Sequence, residues 1–73
     1  MIKIFGINED CEGFKKLMEY LKDRGHFYTI HDGLVQEDIN VLEINADYCN
    51  FTPIIWAVFH SLEQGDYSYI KIE

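Results

Sequence analysis

A short apolar strand followed by an amphipathic helix is the feature that most constrains how this chain can fold. Residues 2–6 alternate enough to predict the strand. Beyond them, apolar side chains recur at i, i+3, i+4 and i+7, the spacing of one helix face: Phe14, Leu17, Met18 and Leu21. Asp10 is a suitable N-cap and Gly25 a suitable C-terminal stop, so we predict a helix between them.

The length and composition predict one small soluble domain. The chain has 73 residues, of which 48% are hydrophobic, and this is enough for a single core over residues 1–73. No run approaches the roughly 20 apolar residues that cross a bilayer. Two cysteines are too few for a disulfide scaffold. We therefore expect a cytoplasmic protein that binds no membrane.

The negative charge is concentrated in one part of the sequence. The formal net charge is −7. Residues 1–24 are neutral, whereas residues 25–73 contain eight acidic residues and one basic residue, Lys71. Such a surface repels phosphates, so we expect no direct nucleic-acid binding. It suits solubility, attraction to a basic partner protein, or imitation of a nucleic acid.

The second half of the chain allows two interpretations. Residues 26–31 and 67–72 are predicted strands in both, while residues 34–46 fit a helix or a strand. With Thr52 as N-cap, Pro53 at the first helical position and Gly65 as terminator, residues 53–64 form a helix. In the other interpretation, residues 54–59 form a buried strand that a proline, cis or trans, begins.

Two folds follow from these alternatives. The first is an α/β fold, a trimmed thioredoxin-like domain of order β-α-β-α-β-β, which places Pro53 beside Cys11. The second is an α+β ferredoxin-like fold of order β-α-β-β-α-β, in which Cys11 belongs to no site. Local capping signals favour the second fold, and the position of the cysteine favours the first.

The chain resembles the glutaredoxin and thioredoxin-like family, in particular the short glutaredoxins that large phages encode. The matching segments are KIFG at 3–6, CEGF at 11–14, FYTI at 27–30, TPIIW at 52–56 and GDY at 65–67. In this resemblance, Phe14 stands where the second cysteine of a Cys-x-x-Cys motif would be.

The resemblance implies a small thiol-disulfide exchange protein, a monothiol oxidoreductase. Cys11 would be the nucleophile, and Pro53, Thr52, Phe14 and Gly65 would line the substrate site. The substrate would be a protein disulfide or a cysteine that carries glutathione, and a second thiol would release the product. Independently of the resemblance, the three histidines have no metal-ligand spacing, so we expect no metal site. At a helix N-terminus a thiolate is favoured, but the neighbouring carboxylates oppose it. Cys11 is therefore either this nucleophile or a small polar residue in a helix-opening turn.

Three further residues have alternative interpretations. Cys49 is either a second thiol that resolves Cys11 or, by preference, a buried apolar residue. Trp56 and Phe59 are predicted core residues that would mark an interaction patch if they were exposed. The alternative function follows instead from the acidic surface of residues 25–73. It is a non-catalytic acidic binding protein that inhibits or modulates a basic protein partner.

Overall fold

Four short strands and two helices make up the described part of the chain. A computed structural model describes residues 1–31, 40–47 and 49–73. The elements in chain order are β1 (Ile2–Phe5), α1 (Glu12–Asp23), β2 (Tyr28–His31), β3 (Val41–Ile44), α2 (Phe51–Ser61) and β4 (Tyr69–Ile72). The protein is a small α+β domain with a four-stranded antiparallel sheet and two helices.

The sheet interleaves two β-α-β units. Its strand order is β2-β3-β1-β4, and each neighbouring pair is antiparallel. β1 lies between β3 and β4, with Ile4 opposite Leu42 on one side and opposite Ile70 on the other. β3 therefore separates β1 from β2, and β1 separates β3 from β4.

One face of the sheet carries the core. Side chains alternate along a strand, so β1 and β3 each present two apolar residues to the helices. The fully buried residues come from these two strands and from both helices: Ile2, Ile4, Leu17, Leu21, Leu42, Ile44, Ile54 and Val58. Burying one such side chain stabilises the fold by about 1.5–3 kcal/mol. Because these residues form a single cluster, both helices cover the same sheet face.

Helix α1 confirms the predicted apolar face but begins one residue later than expected. The four residues at helical spacing are all buried. The N-cap is Cys11, whose Sγ accepts the hydrogen bond from the backbone N–H of Phe14 at 3.2 Å. The prediction that Asp10 is the N-cap is therefore wrong. Asp10 instead donates its N–H to Asn8 Oδ1 at 3.0 Å, within the turn before the helix.

Helix α2 occupies the segment that the sequence left ambiguous. It begins two residues earlier than predicted, with Asn50 as N-cap, and ends at Ser61. Pro53 is its third residue, and its peptide bond is trans because the described residues contain no cis bond. Proline is tolerated there because the first four N–H groups of a helix have no intrahelical partner. The prediction that Thr52 is the N-cap is therefore wrong, and so is the alternative prediction of a strand over residues 54–59.

The observed element order differs from the thioredoxin-like prediction. The described elements end with a helix followed by one strand, whereas β-α-β-α-β-β requires two final strands. The described elements follow the alternative order, β-α-β-β-α-β. Within the ambiguous 34–46 segment, Val41–Ile44 forms a strand. Residues 34–39 of that segment lie outside the described residues.

Candidate functional site

Cys11 lies where the start of α1 crosses the end of α2. Gly13 makes this crossing close, because a Cβ atom at that position would lie 2.3 Å from the Ser61 carbonyl oxygen. Beside the crossing is an open cavity of about 380 Å³ lined in part by Cys11. Cys11 is half-buried, and its Sγ accepts the N-cap hydrogen bond from the Phe14 N–H.

The cavity beside Cys11 is acidic. Glu12, Glu63 and Asp66 line it, and Lys16 is the one basic residue in its lining. Asp66 is held in place because its Oδ2 accepts the Glu63 N–H at 2.9 Å. The wall of the cavity that Cys11 lines therefore carries more negative than positive charge.

The structure does not bring Pro53 to Cys11. The Tyr20 hydroxyl donates to the Pro53 carbonyl oxygen at 3.5 Å, so Pro53 lies beside the last turns of α1. Tyr20 stands nine positions after Cys11, a distance of about 14 Å along the helix axis. Thr52 is exposed and lines a separate cavity near the N-terminus of α2.

The other residues that the resemblance assigned to a substrate site lie in different surroundings. Phe14 is only 8% exposed and belongs to the core. Gly65 lies in the turn after α2, with a φ of 103° that favours glycine, and it adjoins Asp66 of the acidic cavity. Thus Gly65 is next in sequence to a residue of the cavity that Cys11 lines, and Phe14 is a core residue.

Cys49 is exposed, so its interpretation as a buried apolar residue is wrong. It stands just before α2, whereas Cys11 lies at the far end of that helix. The 11 residues of α2 span about 16 Å. Both cysteines are free.

The outward side of α2 carries two large exposed aromatic residues. Trp56 and Phe59 are each 59% exposed, which corrects their predicted place in the core. The Trp56 ring stacks on His60, with ring centroids 3.9 Å apart. We call the exposed residues of this side the aromatic face: Thr52, Pro53, Trp56, Phe59 and His60.

The aromatic face is uncharged, but acidic residues lie beyond both of its ends. No Asp, Glu, Lys or Arg occurs within α2. At its N-terminal end, Asp47 Oδ1 accepts the N–H groups of Cys49 and Asn50 at 2.9 and 3.1 Å. At its C-terminal end lie Glu63 and the rest of the acidic cavity. The apolar surface is therefore bracketed by carboxylates.

The sheet face away from the helices presents a second, smaller group that the sequence did not predict. Phe5 and Tyr69 are register partners whose rings stack with centroids 4.6 Å apart. Beside them, Lys3 Nζ and Glu73 Oε2 are 3.0 Å apart. This hydrogen bond, together with the opposite charge, lowers the pKa of Glu73 and raises that of Lys3. The alternation of residues along each strand could have indicated which side chains share this sheet face. The pairing of the two rings depends on the strand register, which the sequence does not give.

Comparison with protein-family models, with curated proteins and with solved structures finds no significant match. Within the described residues, neither helix has the length and apolar character needed to cross a membrane. The same residues contain no group of three or more His, Cys, Asp or Glu side chains placed to hold a metal ion. The cytoplasmic location stays a prediction.

Proposed function

We propose that this protein is a non-catalytic binding domain that docks a partner protein on the aromatic face of α2. The observation that carries the proposal is the 59% exposure of both Trp56 and Phe59 on an uncharged helix face. Single exposed apolar residues are ordinary, but two aromatic residues three positions apart on one helix face form a patch typical of interaction sites. Buried aromatic residues also dominate the binding energy of protein interfaces.

The exposed area is large enough to matter for binding. Aromatic side chains bury about 150–250 Å² each when fully covered. At 59% exposure, each ring still presents on the order of 100–150 Å². Covering that area contributes about 2.5–4 kcal/mol per ring at 25 cal/mol per Å², before the costs of association.

The charge of the protein favours a basic partner. The net charge is −7, and carboxylates lie at both ends of the aromatic face. Opposite charge accelerates encounter and excludes acidic competitors, and salt weakens both effects. An acidic domain that covers a basic surface can inhibit or modulate the protein that carries it.

We further propose that the fold is ferredoxin-like. Its support is the interleaved pair of β-α-β units with strand order β2-β3-β1-β4. Because this fold serves many unrelated functions, the proposed function rests on the aromatic face and not on the fold.

Affinity capture with matched variants tests the proposed function. The baits are the wild-type protein, Trp56→Ala and Phe27→Ala. Phe27 is 77% exposed but lies outside α2, so its variant controls for the loss of an exposed aromatic ring. A partner retained by the wild type and Phe27→Ala but lost by Trp56→Ala would support the proposal. Equal retention by all three baits would refute it.

A second candidate function is thiol-disulfide exchange at Cys11. The observation in its favour is the half-buried Sγ at the N-cap of α1, which accepts the Phe14 N–H at 3.2 Å. The Cys11 thiolate would attack a disulfide in a partner protein, form a mixed disulfide and release one partner thiolate. A second thiol, glutathione or a partner cysteine, would then displace Cys11.

Two serine variants test this second candidate. Reduced protein is mixed with a disulfide-bonded substrate, and mixed disulfides are measured by mass spectrometry. Cys11→Ser should lose most of the exchange and leave only that of the exposed Cys49 thiol, whereas Cys49→Ser, the matched control, should keep it. An exchange rate unchanged by Cys11→Ser would exclude this function, and docking on the aromatic face should be indifferent to either substitution.

A further inference from the structure

The position of the carboxylates limits what can cover the aromatic face. Asp47 lies before α2, and Glu63 lies just after it. Glu12 and Asp66 add negative charge at the second end, against the single positive charge of Lys16. Both ends of the aromatic face are therefore acidic, about 16 Å apart along a helix of 11 residues.

A second copy of the chain is a poor occupant for this surface. If two α2 helices packed in parallel, each acidic end would meet the same acidic end of its partner. If they packed antiparallel, the Asp47 end would meet the Glu63 end, and like charges would again lie together. Like charges at an interface oppose association.

An extended segment or an anionic surface also fits poorly. The backbone groups of α2 are largely engaged inside the helix, so an extended segment covering its aromatic face would gain few hydrogen-bond partners. A helix satisfies its own backbone hydrogen bonds and can pack its side chains between those of α2. Nucleic acids and anionic membranes would be repelled by the carboxylates at both ends.

We infer that the aromatic face of α2 receives a basic amphipathic helix of a partner protein. Apolar residues of this helix, at i, i+3 or i+4 and i+7, cover Trp56 and Phe59. Lysine or arginine residues near its two ends pair with Asp47 and with Glu63. This inference rests on the proposed function and specifies the chemistry of the partner.

Fluorescence of Trp56 tests the inference, since it is the only tryptophan in the chain. The probes are three tryptophan-free synthetic peptides of about 18 residues. The first is an amphipathic Leu/Lys helix, the second has Glu in place of every Lys, and the third is a scrambled Leu/Lys sequence with no apolar face. We expect the first peptide alone to give a saturable blue shift of Trp56 emission, and added salt to weaken its binding.

Variants of the full chain separate the apolar and charged contributions. Phe59→Ala keeps the fluorescent reporter and should weaken binding of the Leu/Lys helix at least tenfold. Asp47→Asn and Glu63→Gln should each weaken it roughly twofold to fivefold, as expected for exposed ion pairs. Glu43→Gln is the matched control, since Glu43 follows the alternation of β3 onto the sheet face away from the helices, and it should leave the affinity unchanged.

Several results would overturn the inference. Equal binding of the Glu peptide or of the scrambled peptide would show that a basic helix is not selected. A blue shift with phosphatidylserine vesicles, or with rising protein concentration alone, would assign the face to a membrane or to a second copy. If no peptide binds while capture of a protein still depends on Trp56, the inference fails but the proposed function stands.

Discussion

The crossing of the two helices at Gly13 provides the sharpest test of the packing. A Cβ atom at this position would lie 2.3 Å from the Ser61 carbonyl oxygen and 3.1 Å from Leu62 Cα. Both are backbone atoms, so Gly13→Ala must push the end of α2 away by roughly 1 Å to restore ordinary van der Waals contact. Overpacking of this kind costs about 2–3 kcal/mol, the upper part of the usual range.

The gain in helix propensity offsets only part of this cost. Alanine is better than glycine in a helix by at most about 1 kcal/mol. Gly13→Ala should therefore lower the free energy of unfolding by about 1–2 kcal/mol, and the melting temperature by about 5–15 °C. Thermal unfolding followed by circular dichroism measures this. Lys15→Ala, at an exposed position of the same helix, is the control and should change stability by less than about 0.5 kcal/mol. If Gly13→Ala were as stable as the wild type, the two helices would not approach as closely as the structure has them.

Three other predictions follow from burial and charge. Trp56→Ala should cost less than about 1 kcal/mol of stability because the ring is largely exposed, whereas Ile54→Ala should cost about 2–5 kcal/mol; equal losses in denaturant unfolding would contradict the assigned faces of α2. The Glu73 carboxyl should titrate below its ordinary pKa of 4.5 in the wild type and return towards it in Lys3→Met, as measured by NMR. Because the pKa of Glu73 is lowered, the Lys3–Glu73 pair stabilises the fold above pH 4.5 and loses this effect as the pH falls. Because the pKa of Lys3 is raised, the stabilisation is lost again at alkaline pH. Exposed Cys49 should react with iodoacetamide faster than half-buried Cys11, as measured by peptide mass spectrometry. The reverse order would indicate an activated thiol at Cys11.

The outward position of two large aromatic residues on α2 has a packing explanation. The residues that α2 buries are Ile54, Ala57 and Val58. They are small or medium-sized, so the helix can approach the sheet and α1 closely. Because these residues already cover the inner side of α2, the core leaves no place for Trp56 and Phe59. Trp56 and Phe59 can therefore contact a partner without any loss of packing in the core.

Predictions from local sequence signals were the most successful. The apolar face of α1 was predicted correctly because its apolar residues recur in the sequence with the period of an α-helix. Gly25 follows the helix with a φ of 70°, as expected for a residue that ends it. The cap was misassigned by one residue, since Asp10 and Cys11 can both accept a hydrogen bond at the start of a helix.

Around Pro53, local capping signals favoured the helix that the structure contains, but the apolar run itself did not distinguish a helix from a strand. An apolar run such as residues 54–59 suits a buried strand and a buried helix equally well, because its hydrophobicity has no strong period. The exposure of Trp56 was equally hidden, since the mean apolar character of α2 does not say which side meets the core. Cys49 was misjudged for the same reason: its exposure depends on where the turn before α2 lies.

The sequence by itself determined the first strand, the amphipathic helix α1 and the acidic character of residues 25–73, because each depends on neighbours within a few positions. Tertiary structure alone decided the strand order β2-β3-β1-β4 and the separation of Pro53 from Cys11. It also placed the aromatic face on the surface between acidic ends. These outcomes depend on which distant segments pack together, and that packing is a property of the whole chain.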